Sequence, residues 1–265
     1  SKIFRKKILE MSIVSTDWTE KNLSKIKIID CSWHMPNQER NGHEEYLKNH
    51  IENAIFFDLD KNSKTDTDLP HMLTDISSWE KIMSDMGIEN RDKIVIYDNS
   101  DVISSCRCWY NLIYFGHDPK LVHVLDGGFK KWKKENKIVN NEIIKNSISI
   151  YKANEKKELV KNKNEIDENI LKNEFNVIDA RSKERFEGKV AEPRKGLKSG
   201  SIKNSFCIPF SEIINDDHTF ADINVIREKF NSTKFDNNKN VVFSCGSGVT
   251  ASVLALAYSL INAKY

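Results

Sequence analysis

One pattern occurs twice in this chain. Phe175-Asn176-Val177-Ile178-Asp179-Ala180-Arg181 follows the plan of Ile26-Lys27-Ile28-Ile29-Asp30-Cys31-Ser32. Gly200 to Ser205 follows Asn49 to Ala54, and Asn240 to Cys245 follows Lys93 to Asp98. The spacings agree: Asp30 and Asp98 lie 68 positions apart, Asp179 and Cys245 lie 66. A fixed order at a fixed spacing is the mark of a duplicated domain. At 265 residues the chain has room for two. Within a copy, short β-branched runs alternate with helical spacing. Lys93-Ile94-Val95-Ile96-Tyr97 reads as a buried strand, Ser104 to Phe115 as a helix stopped by Gly116, and Leu121 to Leu125 as the next strand. Ile76, Trp79, Ile82, Met83 and Met86 share a helix face that Gly87 ends. The predicted fold class is α/β: two tandem domains, each a mostly parallel central sheet flanked by helices. The expected boundaries are 11–139 for the first copy, 140–169 for a linker rich in Lys, Asn and Glu, and 170–265 for the second copy.

The copies differ where chemistry is expected. Val241-Val242-Phe243 reads as a strand and Ala251 to Leu260 as a buried helix, with Ser244-Cys245-Gly246-Ser247-Gly248-Val249-Thr250 between them. Glycine takes φ > 0 at no steric cost, so Gly246 and Gly248 are expected to let this loop curl. A curled loop feeding a helix turns backbone N–H groups inward, and the helix terminus adds partial positive charge. A thiol at the mouth of such a nest is favoured as thiolate, which suits a nucleophile or a persulfide. A lone free cysteine is most often a small buried hydrophobe; strand, Cys-Gly-x-Gly loop and helix together point instead to a reactive Cys245. The first copy has Asp98 at the matching position.

Charge sets other limits. The formal net charge is +2, which argues for neither nucleic acid nor an acidic partner. No apolar run approaches the roughly 18 residues that span a bilayer. Five cysteines, an odd number, point to free thiols in a reducing compartment. A cytoplasmic protein is expected, with a mitochondrial location as the alternative. Lys2, Arg5, Lys6 and Lys7 in Ser1–Glu10 read as a solvated basic tail, a transit remnant being the other reading, and Met11 as an alternative start.

These features together resemble the tandem-domain rhodanese sulfurtransferases, from about Thr16 to the last residue. The resemblance rests on Cys245-Gly246-Ser247-Gly248-Val249-Thr250-Ala251, Asp30-Cys31-Ser32-Trp33, Phe56 to Asp60, His71-Met72-Leu73, Asp126 to Trp132, Arg185-Phe186-Glu187-Gly188 and Glu192-Pro193-Arg194. It implies transfer of sulfur from 3-mercaptopyruvate through a Cys245 persulfide to a thiol acceptor or cyanide, with release of pyruvate. Thioredoxin is the implied thiol, and a monomer without cofactor or metal is expected. By the same resemblance Arg185 and Arg194 hold the substrate's carboxylate and adjacent carbonyl, as planar guanidinium forks do. Ser247 supplies a proton, oriented in the manner of a triad by His71 and Asp60 of the first copy. Gly246, Gly248, Val249 and Thr250 complete the substrate-binding loop. Arg181 reads as a surface ion pair with a nearby glutamate.

Departures from the family pattern fall in three places, one of them Ala191, where a proline usually stands two residues before Pro193 and no chemistry is touched. The usual Gly-His-Ile-Pro-Gly-Ala turn is Asn49-His50-Ile51-Glu52-Asn53-Ala54 in one copy and Gly200-Ser201-Ile202-Lys203-Asn204-Ser205 in the other. The family's final strand does not follow the last helix, so either the second copy is truncated or the protein continues, and a missing strand is expected to expose a sheet edge or leave the core uncovered. Three rival functions compete with this one. A phosphatase of related fold needs an arginine six positions after the cysteine, where Ala251 stands. Thiosulfate-preferring relatives place Arg and Lys directly after the cysteine, where Gly246 and Ser247 stand. A non-catalytic binding module would not need Cys245 together with both arginines.

Overall fold

The computed structural model describes residues 12–262. The basic stretch Ser1–Glu10, Met11 and the last three positions lie outside the described residues. Two compact units divide the chain, one of residues up to 156 with 216–219, the other of 157–215 and 220 onward.

The first unit runs β1 (Ile13–Val14), α1 (Thr16–Lys21), β2 (Lys27–Asp30), α2 (Gly42–Lys48), β3 (His50–Ile51), β4 (Ala54–Phe56), α3 (Ile76–Asp85), β5 (Ile94–Tyr97), α4 (Ser105–Tyr114), β6 (Val122–Leu125), α5 (Gly128–Lys134) and β7 (Val139–Asn140). Five strands pair in parallel in the order β1-β6-β5-β2-β4. Ile28, Ile29, Ile94, Val95, Ile96, Val122 and Val124 are all buried. A strand apolar on both faces needs cover on both, which a parallel sheet between helices provides. Helix α3 shows how the cover is made. Asp75 caps it by accepting the Ser78 N–H. Trp79 and Met83, one turn apart, point inward, and Trp79 stacks on Phe115 with ring centres 4.6 Å apart. Gly87 ends the run at φ 71°.

Residues 141–156 lie along this unit without regular structure. Their side chains are mostly exposed, but the backbone is tied down: Asn154 N–H donates to Phe115 O at 2.8 Å and Lys156 N–H to Tyr114 O at 2.7 Å. Tyr151 is the buried anchor, its hydroxyl 2.8 Å from His117 Nδ1.

His123, in β6, is buried where neither ring nitrogen forms a good hydrogen bond. Burial, aided by Lys93, pushes its pKa down to about 4 from an ordinary 6.5. As pH falls, the unfolded chain takes up this proton before the folded one does. Stability present above the unfolded pKa is therefore lost as pH drops toward the folded one, by on the order of 3 kcal/mol in full. Asp30 acts in the opposite sense. Burial raises it to about 7, so its contribution is lost as pH rises through that value. His123→Phe should flatten the acid limb of a stability–pH curve between about pH 6.5 and 4. An acid limb of unchanged slope would remove His123 from this account.

The second unit runs α6 (Lys163–Lys172), β8 (Asn176–Asp179), α7 (Lys183–Phe186), β9 (Phe206–Cys207), α8 (Ile223–Ser232), β10 (Val241–Ser244) and α9 (Val249–Ile261). Its parallel sheet has the order β10-β8-β9. Strand β8 is buried along its length, whereas β10, at the edge of the described sheet, is half-buried. Helix α6 occupies the end of the stretch expected to be linker. A reciprocal cap starts it: Asn162 Oδ1 accepts Glu165 N–H and the Glu165 carboxylate accepts Asn162 N–H. Helix α9 is apolar on most of its circumference and buried accordingly. No helix among the described residues is long and apolar enough to cross a membrane.

Register makes the duplication physical. Asp30 stands level with Tyr97 and Phe56, and Asp179 stands level with Ser244 and Cys207. One step further on, Asp98 and Cys245 therefore leave their sheets at matching points, at the C-terminal ends of parallel strands, where ligands bind in such sheets.

Candidate active site

Cys245 follows the last residue of β10, and α9 begins four residues later. Gly248 is the N-cap, at φ 80° and ψ 0°. Its N–H donates to Cys245 Sγ at 3.0 Å, and Ala251 N–H points to the same sulfur at 3.4 Å. The sulfur thus takes up two of the donors that a helix start leaves without carbonyl partners. It sits half-buried over the positive end of a 13-residue helix. Only one of the two glycines bends the loop through left-handed backbone. Gly248 does, whereas Gly246 has no positive φ. Gly246 is exposed, Ser247 half-buried, Val249 buried and Thr250 half-buried.

Arg185 reaches this loop from α7. Its Nη2 lies 3.5 Å from the point where a β-carbon on Gly246 would stand. The same guanidinium grips Glu192, with Nε 3.1 Å and Nη2 2.5 Å from Oε2. The other Glu192 oxygen accepts from Arg181 Nη1. Arg181 in turn holds Asp179 at the end of β8, through Nε at 3.0 Å and Nη2 at 2.6 Å, and donates to Gly200 O at 2.7 Å. Burial alone would raise the Glu192 carboxyl, but the hydrogen bonds and charges of Arg185 and Arg181 outweigh it and hold it below the usual carboxylate range. Arg181 is therefore not the surface ion pair expected from sequence. Its side chain is 11% exposed and its two acidic partners 3% each. Arg194 stands exposed two residues beyond Glu192.

Asp60 and His71 come together in the first unit. His71 Nε2 lies 2.7 Å from Asp60 Oδ1. That hydrogen bond, with the charge of His71, holds the Asp60 carboxyl below its usual range. The Trp33 indole N–H points to both Asp60 oxygens, at 3.1 and 3.2 Å, and its ring meets the His71 ring edge-on at 4.8 Å. The His71 backbone is left-handed, φ 56°, a conformation that costs a side-chain-bearing residue of order 1 kcal/mol or more. Arg107 Nη2, donating to His71 O at 2.5 Å, helps hold it there. In the loop where the second unit has Cys245, Asp98 accepts the N–H groups of Ser100 and Ser105, each at 2.9 Å. The first copy's nest is filled by the chain's own carboxylate.

A duplicated α/β domain with one anion nest holding a thiol and the other a carboxylate is matched by a model of the Rhodanese-like domain at residues 15–135 and again at 155–265. This chain belongs to the rhodanese family. Relatives within it include thiosulfate/3-mercaptopyruvate sulfurtransferase 1, mitochondrial, from Arabidopsis thaliana, 36% identical over 92% of this chain and 70% of that protein. The mouse 3-mercaptopyruvate sulfurtransferase is 32% identical over 92% of this chain and 84% of its own. Among solved structures, Escherichia coli SseA, described with the rhodanese fold and catalytic mechanism of 3-mercaptopyruvate sulfotransferases, superposes with a TM-score of 0.85 at 28% identity, covering 94% of each chain.

For a rhodanese-family chain, the residues that sequence reasoning passed over are Glu192, Trp33 and Asp98 as a nest-filling group. Glu192 had a visible signal, an acid placed among Arg181, Arg185 and Arg194. Trp33 had none beyond its place in a shared motif.

Proposed function

We propose that this chain is a sulfurtransferase that takes sulfur from 3-mercaptopyruvate onto Cys245 and passes it to a thiol or to cyanide. The observation that carries the reading is the Cys245 sulfur on the N–H groups of Gly248 and Ala251 with Arg185 beside the loop. The Cys245 thiolate attacks the substrate sulfur. An S–S bond forms, the C–S bond breaks, and its electron pair leaves as the enolate of pyruvate. Protonation of that enolate gives pyruvate, and the outer persulfide sulfur stays on the enzyme. Donors fixed around the sulfur favour its anionic forms throughout. Arg185 and Arg194 are assigned to the substrate carboxylate and carbonyl, and Gly246, Gly248, Val249 and Thr250 to the walls of the loop. Ser247 is assigned to proton delivery, with His71 and Asp60 assigned to orient and polarise it in the manner of a triad.

In the second half-reaction an acceptor thiolate attacks the outer sulfur and restores the Cys245 thiolate; a dithiol then closes to a disulfide and releases hydrosulfide. Reduced thioredoxin is the proposed acceptor. The protein acts as a monomer, in the cytoplasm or, as the name of one relative has it, in the mitochondrion. Names among the relatives cover both donors, and the neutral pair Gly246-Ser247 supports the carboxylate donor over the dianion thiosulfate.

One persulfide assay tests the reading. Incubation with 3-mercaptopyruvate should add one sulfur to the peptide containing Cys245, and reduced thioredoxin should remove it. The kcat/KM should be higher for 3-mercaptopyruvate than for thiosulfate. A higher value for thiosulfate would transfer the donor assignment to that anion. A Cys245 that gains no sulfur from either donor would end the sulfurtransferase reading.

A further inference from the structure

We propose that Glu192 is the positioning and donor-selecting residue of this site: it fixes the Arg185 guanidinium against the Cys245 loop and cancels one positive charge there. The inference rests on the sulfurtransferase reading above. A line of alternating charge runs from the central strand to the loop, Asp179, Arg181, Glu192 and Arg185, ending at Gly246. Each inner member is held from both sides. Arg181 is pinned by Asp179, Glu192 and the carbonyl of Gly200. Glu192 spends one oxygen on Arg181 and the other on Arg185.

The open end of the line is Arg185, 26% exposed, against 11% for Arg181 and 3% for Glu192. Arg181 reaches both Asp179 and Glu192 but balances only one of the two charges, and Arg185 balances the other. The bond from Glu192 to Arg185 also fixes an orientation. It holds the guanidinium by one edge, since Nε and Nη2 share a single oxygen. That leaves the outer Nη1 without a protein partner among the described residues. The edge pointing away from Glu192 is thus fixed in direction while its charge is balanced by the carboxylate behind it. Two carboxylates and two guanidinia sum to zero, which suits a monoanionic carboxylate and withholds attraction from a dianion.

Two variants separate charge from position. Glu192→Gln keeps the shape and removes the charge. It should shift the kcat/KM ratio toward thiosulfate by about tenfold, chiefly through a lower KM for thiosulfate, because the unmasked cation attracts a dianion more than a monoanion. Glu192→Asp keeps the charge and draws it back by one methylene. It should raise KM for 3-mercaptopyruvate about fivefold while kcat stays within about twofold, because a loosened Arg185 no longer presents its edge. Thermal unfolding of each variant establishes that it folds, and Glu192→Asp stands alone as the test if Glu192→Gln does not. A donor ratio unchanged in Glu192→Gln, or a KM unchanged in Glu192→Asp, overturns the proposal. These results are read only against an active wild type. A wild type that forms no persulfide fails the sulfurtransferase reading instead.

Discussion

Cys245→Ser should reduce sulfur transfer to background, a loss on the order of three decades or more in kcat, and leave the unfolding temperature nearly unchanged. The hydroxyl is nearly isosteric, and the Gly248 and Ala251 N–H groups can donate to oxygen as they do to sulfur. What disappears is a sulfur nucleophile that can hold a second sulfur. The other four thiols give the contrast. Cys31, Cys106 and Cys108 are fully buried in the first unit, and burial raises Cys106 well above its ordinary range. Cys207 is half-buried, but burial, then the charge of Asp179, pushes it up to about 11, and its Sγ lies 3.4 Å from Arg181 O. Burial and then a nearby carboxylate disfavour the thiolate of Cys207, whereas two N–H groups point at the sulfur of Cys245. Alkylation of the folded wild type should therefore label Cys245 first, with mass spectrometry of the peptides as the readout. Cys207→Ser should keep activity within about twofold. Persulfide turnover surviving in Cys245→Ser would refute the assignment of the nucleophile.

The fold was legible wherever side chains carry the packing. Ile94-Val95-Ile96 and Ile28-Ile29 are apolar on both faces because the sheet is covered on both, and that burial is what a period-free run records. Residues 141–156 gave no such signal, since backbone bonds to the α4 end and the single anchor Tyr151 hold them. Helix α6 was missed although Asn162 and Glu165 spell a reciprocal cap, because its apolar residues are too few to stand out among Lys and Asn. At the site, the thiol, the curled loop and the helix start could be read from residue types and order alone. The pairing of Asp60 with His71 came only through family resemblance, and the left-handed backbone at His71 has no sequence signature in a residue that is not glycine. Nor could sequence tell a surface arginine from a buried one. Arg181 and Arg185 are the same residue type four positions apart; what separates them is that Asp179 ends a buried strand, so its partner must be buried too.

Arg181→Ala is the stability counterpart of the Cys245 result and should be the most destabilising polar substitution in the second unit. It removes one cation from between two carboxylates that are each 3% exposed. Breaking a buried pair from one side leaves an uncompensated charge, at a cost of about 3–5 kcal/mol. For a unit of about a hundred residues that corresponds to an unfolding midpoint lower by on the order of 10–20 °C. Lysine should not rescue it. A single ammonium cannot reproduce the fork that meets Asp179 through Nε and Nη2, Glu192 through Nη1 and the Gly200 carbonyl through Nη2. The pH dependence gives a second signature. Because Glu192 is held below its ordinary value in the folded chain, its contribution is present above the unfolded pKa and is lost as pH falls through the folded one. In Arg181→Ala part of that hold is gone, so the folded value rises and the acid loss from Glu192 should be smaller and complete at higher pH than in wild type. Asp179→Asn in the Arg181→Ala background should recover part of the loss, since it removes the carboxylate left without its cation while Glu192 keeps Arg185, and the double-mutant cycle should show coupling of about 1 kcal/mol or more. A loss below about 1 kcal/mol in Arg181→Ala, with no coupling to Asp179, would mean that water reaches these carboxylates in solution and that Arg181 is the ordinary surface pair its sequence suggested.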